Sequence, residues 1–557
     1  MADKRFPPAD RWLVPVTVVL VHLVLAFLSA SPAIHTGGDN AAYISLANSL
    51  ASEGSYVESW HPGAPPHTKY PPLYPTVLAL MMLLGAKTWG AFKVASMLFT
   101  GLAVAACFLM VRKARGPRAA VAVSALFAVA PAVLFSAQWI LADPLFMVLT
   151  LACLWLLTPD PDVSTRSLAL GLVAATAAYF TRSAGLPLLV AVVVWLTLQR
   201  RWRPLAVFAG LFAVPGLLWQ LRAGADYVSE FWLVNPYAPD LGRAGPVELV
   251  GRVAENLWTY TTDYVPAGLT GLDGLPAGVV GVLLAALALA GWVRRIRAGP
   301  QVGEIFCFLY VGLIVAWPEA WSGDRFALPI LPLLLLYAGE SAALMFRRWR
   351  VRPAEAAWLP WLGRAAVVAA AAVFLVPAGK KWYQRAERAG QCRAVLETVG
   401  PMGCYLRVVA EFHAMALWAG RNLPEGSVVL SRKPRLFHVF SGLPSVTYPF
   451  TTDGRSLLTE ADSMDVGYLV RGNWDTTGRL YVDPVLSASP DRFCVVAQLG
   501  YDRESPVSML AIVPPVSDVV TIPDETAAAV LPCPDAVDHV LPSAAEIASM
   551  TVPILDR

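Results

Sequence analysis

Charge is what this 557-residue chain is short of. Only 15% of its residues are Asp, Glu, Lys or Arg, and 56% are hydrophobic. A water-soluble globule of this length carries closer to about 25% charged residues, so the composition excludes that class. The net charge of +3 is small. No basic patch is interleaved with stacking aromatics, which excludes nucleic acid as a partner. No Cys-x-x-Cys or Cys/His spacing marks zinc. The globular C-terminal part shows no nucleophile elbow, phosphate loop or carboxylate pair, and the chain has no internal repeat. What the chain has instead is long apolar runs, which recur through residues 1–380 before the sequence turns globular.

A membrane span needs about 20 apolar residues. Such runs lie near 12–30, 90–111, 118–137, 143–158, 167–181, 185–199, 204–221, 275–293, 301–317, 326–346 and 361–379. The run 71–86 is shorter and opens with PPLYP, so a half-buried helix in an outer loop is expected there. Basic clusters at Lys4/Arg5/Arg11, 112–118, 200–203, 294–297 and 346–352 test this map. With 71–86 kept outside, all five fall on the cytoplasmic side, as the positive-inside rule requires. The expectation is a polytopic α-helical membrane protein of about eleven spans in a bacterial cytoplasmic membrane. Its N-terminus is cytoplasmic, and it carries a C-terminal extracytoplasmic α/β domain. Most of the 19 tryptophans lie near span ends, as an aromatic belt would place them. The N-terminus also has the basic, apolar and small-residue order of a secretory signal, ending in SASPA (29–33). Its apolar region is long for a cleaved signal, and the charge map works with the segment retained as a span.

Three regions follow: an apolar domain over 1–380 with its first external loop at 31–89, an external domain over 381–515, and a Pro/Ala-rich tail over 516–557. In the external domain, strand-like runs at 427–432, 442–450, 465–472, 493–500 and 508–515 alternate with helical ones at 403–426, 435–442 and 454–463. That alternation predicts a small α/β fold. Three of the seven cysteines (107, 153, 307) lie in spans, and four (392, 404, 494, 533) lie in the external region. An oxidising compartment permits Cys392–Cys404 and Cys494–Cys533 pairs. Free or simply buried cysteine is the other reading.

Polar residues that could do chemistry gather at the outer ends of the spans. GGDNAAYISLANSL (37–50) places Asp39 at the start of a helical pattern, where a carboxylate also serves as a cap. HTKYPPLYP (67–75) follows, and Lys69 is the one cation near it. Asp143, in ILADPLF, opens a span. A carboxylate at membrane depth is expensive and usually has a task, although a first-turn cap before Pro144 is the alternative. Tyr43 reads as packing beneath the loop. His35, His61 and His67 are close in sequence, and His61 or His67 with a carboxylate would suit a divalent metal. Their lack of fixed spacing argues against a ligand set. His413 and His438 have no catalytic partner pattern.

This order of motifs resembles that of the GT-C glycosyltransferases, in the branch of protein O-mannosyltransferases and the lipid A aminoarabinose transferase (bacterial family 39-like). The matching positions are Asp39, Tyr43 and Ala47, then Lys69-Tyr70-Pro71-Pro72-Leu73-Tyr74, then Ala142-Asp143-Pro144. TRSAGLPLLV (181–190) and DRFALPILPLLLLYAG (324–339) add to it. The chain departs from the pattern in two places. Asn40 stands where members often have Glu, and Tyr70 separates the lysine from Pro-Pro.

The resemblance implies an inverting enzyme that moves a sugar from a polyprenyl-phosphate donor to a lipid, glycan or protein acceptor. Asp39 is then the general base. Lys69, Arg182 and Arg325 meet the leaving phosphate, and an arginine fork suits its oxygens. Arg325 reads otherwise as a headgroup anchor or a partner of Asp324. Asp143, Tyr43 and His67 complete the candidate substrate site. No metal ligand set is assigned, and a divalent metal stays open as cofactor. The NLPEGSVVLSRKPRLFHVFSG stretch (422–442) resembles extensions in bacterial members. Two rival classes remain. A lipid-linked-sugar flippase would show repeats and mid-membrane broken helices. A scaffold presenting the external domain would not need these polar groups on one side.

Overall fold

Every apolar run expected as a span is helical, because no other conformation satisfies the backbone within lipid. A computed structural model describes residues 10–34, 37–158, 163–223, 226–350, 359–472, 474–499, 506–514 and 530–537. Asp10–Ser29, Trp89–Arg115, Asp143–Leu157, Thr165–Thr181, Leu186–Leu198, Trp202–Ala223, Gly274–Ala298 and Val302–Ala316 follow the predicted boundaries closely. Two runs are broken. The third divides into Pro117–Val129 and Pro131–Ser136, where Pro131 starts a new helix. The tenth divides into Asp324–Ala327 and Leu331–Arg350. Among the described residues, four helices are long and apolar enough to cross a membrane, and five more apolar helices are shorter. The eleven-span count therefore does not follow from helix length.

The run at 71–86 forms the short helix Leu73–Leu83. Its 11 residues rise about 16 Å at 1.5 Å each, half of a bilayer core. At the opposite end of the helical bundle, Glu340 accepts from Arg294 at 2.9 Å and also pairs with Arg115 and Arg295. Arg295 reaches Glu304 at 3.0 Å as well. These arginines belong to two of the basic clusters, so those clusters share one end of the bundle, away from Asp39 and Asp143.

One continuous helix, Leu359–Val399, leads from the apolar part into the C-terminal domain. There a mixed six-stranded sheet is built from β1 (Val428–Leu430), β2 (Ser445–Val446), β3 (Val466–Arg471), β4 (Phe493–Leu499), β5 (Val507–Ile512) and β6 (Pro532–Val537). The strand order is β2-β1-β3-β5-β4-β6. β1 is parallel to β2 and β3, and β5 is antiparallel to β3 and β4. The helices Arg407–Asn422, Pro434–Ser441 and Gly454–Ser463 fall where the sequence predicts them. β6 lies within the Pro/Ala-rich stretch, parallel to β4; the rest of that stretch, apart from residues just before β6, lies outside the described residues, as does His35. Both cysteine pairs are disulfides, Cys392–Cys404 and Cys494–Cys533, and the three span cysteines are free and buried.

The domain sits directly on the segment 37–89, between the first two long apolar helices. Ile44, Tyr74 and Phe92 share one apolar core with Phe412, Met415, Phe437 and Phe440. The Ser445 N–H donates to the Trp60 carbonyl at 2.7 Å, and the Tyr481 hydroxyl donates to the Tyr237 carbonyl at 2.9 Å. This docking carries the helix Pro434–Ser441 up against the helix Gly38–Glu53.

Candidate active site

Gly37 caps the helix Gly38–Glu53 through its extended backbone, and no side chain closes that end. Asp39 stands in the first turn, where the helix dipole favours an anion. It does not cap the helix with its carboxylate. Its Oδ1 accepts from the Tyr70 hydroxyl at 2.8 Å. Its Oδ2 accepts from both terminal nitrogens of Arg325, at 3.2 and 3.1 Å. Arg435 lies 3.9 Å from Oδ1 and donates to the Tyr70 oxygen at 2.8 Å. Tyr70 thus bridges Asp39 and Arg435. Burial works to raise the Asp39 pKa, but the charges of Arg325 and Arg435 and the Tyr70 hydrogen bond outweigh it and lower it to about 2.

The neighbouring Asn40 is structural. Its Oδ1 accepts from the Ile140 N–H at 2.9 Å and ties the helix start to the turn before Asp143. A side chain on Gly37 would collide with the Asn40 amide, 2.6 Å from an added Cβ.

Asp143 begins the helix Asp143–Leu157 and is buried. Its carboxylate pairs with Arg182, which caps the helix Thr165–Thr181 and also faces the Phe326 ring at 5.1 Å. Tyr43 is buried between Tyr70 and Tyr74, with ring centroids 4.9 and 5.0 Å away. Lys69 is turned toward a different loop, where it meets Glu230 at 2.6 Å and the Trp321 ring at 5.0 Å.

His67 is fully buried, with both ring nitrogens engaged. Nε2 accepts from the Tyr70 N–H at 2.8 Å, so Nδ1 carries the proton toward Glu58, 2.7 Å away. Burial lowers its pKa despite Glu58. The ring is a post that shapes the loop holding Tyr70, and it does not line the cavity. Among the described residues no three His, Cys, Asp or Glu side chains converge as a metal site.

These groups surround a cavity of about 1070 Å³ between the span ends and the C-terminal domain. Asp39, Asp143, Tyr43, Lys69, Arg182 and Arg325 all reach it. So do three cations that the sequence did not single out: Arg432, Lys433 and Arg435. The one sequence signal for these was the basic run RKPR (432–435) beside a predicted strand. Six cationic side chains and four carboxylates line the space, so its walls favour an anion. Arg325 pairs with Asp39 and not with the adjacent Asp324.

No protein family description matches this sequence, and no curated protein matches it. Solved structures do match in fold. The apo structure of ArnT from Cupriavidus metallidurans superposes with a TM-score of 0.53 at 17% identity, over 90% of this chain and 98% of that one. ArnT bound to undecaprenyl phosphate gives 0.52 at 16%, over 90% and 98%. The archaeal oligosaccharyltransferase AglB from Archaeoglobus fulgidus, in complex with an inhibitory peptide and a dolichol-phosphate, gives 0.54 at 12%, over 90% and 74%. The chain shares the fold of these solved structures. At these identities the likeness is one of fold.

Proposed function

We propose that the protein is an inverting glycosyltransferase that takes a sugar from a polyprenyl-phosphate donor at the outer face of a bacterial cytoplasmic membrane. The observation that carries this reading is the Asp39 carboxylate held between Arg325 and the Tyr70–Arg435 pair at the wall of a cation-rich cavity. The fold shared with ArnT and AglB supports it.

The acceptor hydroxyl oxygen attacks the anomeric carbon from the face opposite the phosphate, and the carbon–oxygen bond to phosphate breaks. The electron pair leaves with the polyprenyl phosphate, and the hydroxyl proton passes to Asp39. Arg325 neutralises the departing phosphate, as fixed cations aimed at developing charge do best. A carboxylate with a pKa of about 2 is a weak base in the empty site. The donor phosphate competes for the same guanidinium groups. As Arg325 turns to the phosphate, Asp39 loses its strongest partner and gains basicity, which couples donor binding to base activation. Arg182 and Asp143, beside Arg325 across the Phe326 ring, orient the sugar or acceptor; Lys69, Tyr43 and His67 shape the loop and the floor.

An external position for the C-terminal domain is supported by its two disulfides, and a cytoplasmic N-terminus by the gathering of basic clusters at the opposite end. The test is release of polyprenyl phosphate by the purified protein from a panel of undecaprenyl-phosphate sugars with membrane extract as acceptor source. Donor-dependent release with sugar appearing in the extract supports the reading. Binding of the lipids without turnover of any of them counts against it.

A further inference from the structure

Asp39 has cations on two different sides, and they come from different parts of the chain. Arg325 stands at the mouth of a span helix and holds Oδ2. Arg435 approaches Oδ1 from the C-terminal domain, next to Lys433 and Arg432. Arg432 is paired with Asp475 at 2.6 Å, and Arg435 is committed to Tyr70 and lies over the Trp60 ring at 5.3 Å. Lys433 differs from both. Among the described residues its side chain makes no hydrogen bond or ion pair; Lys433 lines the cavity, and its ammonium lies 5.7 Å from the Trp474 ring centroid. Burial and the Arg432 charge lower its pKa, a stress that an anion would relieve. Besides Arg432 and Arg435, the domain's part of the wall holds the neutral Ser445, Val446 and Thr447 and one carboxylate, Glu460.

Resting on the glycosyltransferase reading above, we infer that Lys433 and Arg435 form a second anion subsite on the domain side of Asp39, and that it receives a phosphate carried by the acceptor. The donor phosphate must lie on the membrane side, where its lipid chain can remain in the bilayer, and Arg325 is the cation there. A hydroxyl that reacts next to Asp39 reaches it from the other side, so a charged group on the acceptor meets Lys433 first. The subsite selects an anionic acceptor and holds its hydroxyl beside the base, a gain in orientation as well as in binding. A second phosphate on the donor would present the same chemistry, and the binding measurements separate the two sources.

The experiment uses the full-length protein in nanodiscs, with two probes: undecaprenyl phosphate, and inorganic phosphate added to protein already saturated with that lipid. Binding of each is measured for wild type, Lys433→Gln, Lys433→Arg and Arg325→Gln. The expected result is that Lys433→Gln keeps its lipid affinity within about twofold but loses about tenfold in phosphate affinity, and that Lys433→Arg retains most of it. Arg325→Gln shows the opposite pattern. Three results would overturn the inference: wild type saturated with lipid binds no phosphate; Lys433→Gln binds phosphate as wild type does; or Lys433→Gln loses lipid affinity as Arg325→Gln does, which assigns the segment to the donor. Failure of the protein to bind undecaprenyl phosphate at all would defeat the glycosyltransferase reading instead. Phosphate binding by the lipid-free protein, and its loss in Lys433→Gln, would still report on the subsite.

Discussion

Arg325 and Asp39 are 286 residues apart in sequence, and both terminal nitrogens of the arginine donate to one carboxylate oxygen. The pair joins the start of the helix Gly38–Glu53 to the short helix Asp324–Ala327 that precedes Leu331–Arg350. Replacing Arg325 with Gln removes a cation aimed at the leaving phosphate, and kcat/KM is expected to fall by about 10²-fold, as for a lost oxyanion donor. Arg325→Lys should recover only part of this, because an ammonium cannot reproduce the fork. Steady-state transfer kinetics of the three proteins check it, and equal kcat/KM in wild type and Arg325→Gln would remove Arg325 from the site.

Tyr70→Phe deletes a hydroxyl that donates to Asp39 and accepts from Arg435. A loss of about 10-fold in kcat/KM is expected, in line with about 1.4 kcal/mol for a hydrogen bond to a charged group. Because Tyr70 and Arg435 act as one unit, the double variant with Arg435→Gln should lose less than the product of the single losses. A strictly multiplicative loss would mean that they act independently.

The sequence made the helical layout readable because lipid favours helix in long apolar runs, and strand–helix alternation made the C-terminal α/β domain readable from its own periodicity. Asp39, Asp143, Arg182 and Arg325 were legible because charge at a span end stands out against so apolar a background. Their pairing was not: nothing local in the sequence says that Asp143 meets Arg182 or that Lys69 turns to Glu230. Tyr70 read as an interruption between lysine and Pro-Pro, whereas its hydroxyl is the link to Arg435. Arg435 lies 365 residues from Tyr70, in a domain whose docking rests on a shared apolar core and on long-range hydrogen bonds that local sequence does not announce. His67 read as part of the substrate site, whereas it is a buried, hydrogen-bonded post that does not line the cavity, an outcome that side-chain type alone does not distinguish.

The low Asp39 pKa gives a pH signature. The carboxyl is held below the ordinary aspartate value, so the favourable ion pair is fully present above that value and is lost as pH falls through about 2. The free enzyme should therefore show no acid limb in kcat/KM from Asp39 above about pH 4. In Arg325→Gln the carboxylate loses that arginine's charge while burial still raises its pKa, so an acid limb should move up into or above the ordinary carboxylate range. The pH dependence of kcat/KM for both proteins checks this, and coincident acid limbs would contradict it.

The Cys392–Cys404 disulfide stands where the helix Leu359–Val399 hands the chain to the domain that supplies Arg435. Closing a loop with a separation of 12 residues constrains the unfolded chain by about 3 kcal/mol. The paired Cys392→Ser, Cys404→Ser variant should lose thermal stability and transfer activity together. The Cys494→Ser, Cys533→Ser variant frees a strand at the far edge of the sheet and should lose stability with little change in kcat for the folded fraction. Melting curves beside initial rates check both.

The central claim is that Asp39 takes the acceptor's proton. The most direct measurement is sugar transfer from undecaprenyl-phosphate sugars by membranes holding wild type or Asp39→Asn at equal expression. The amide keeps the shape and cannot accept the proton, so a rate loss of about 10²–10⁴-fold is expected, the range for general-base catalysis. Transfer at the wild-type rate by Asp39→Asn would contradict the account and leave Asp39 as an anchor for Arg325.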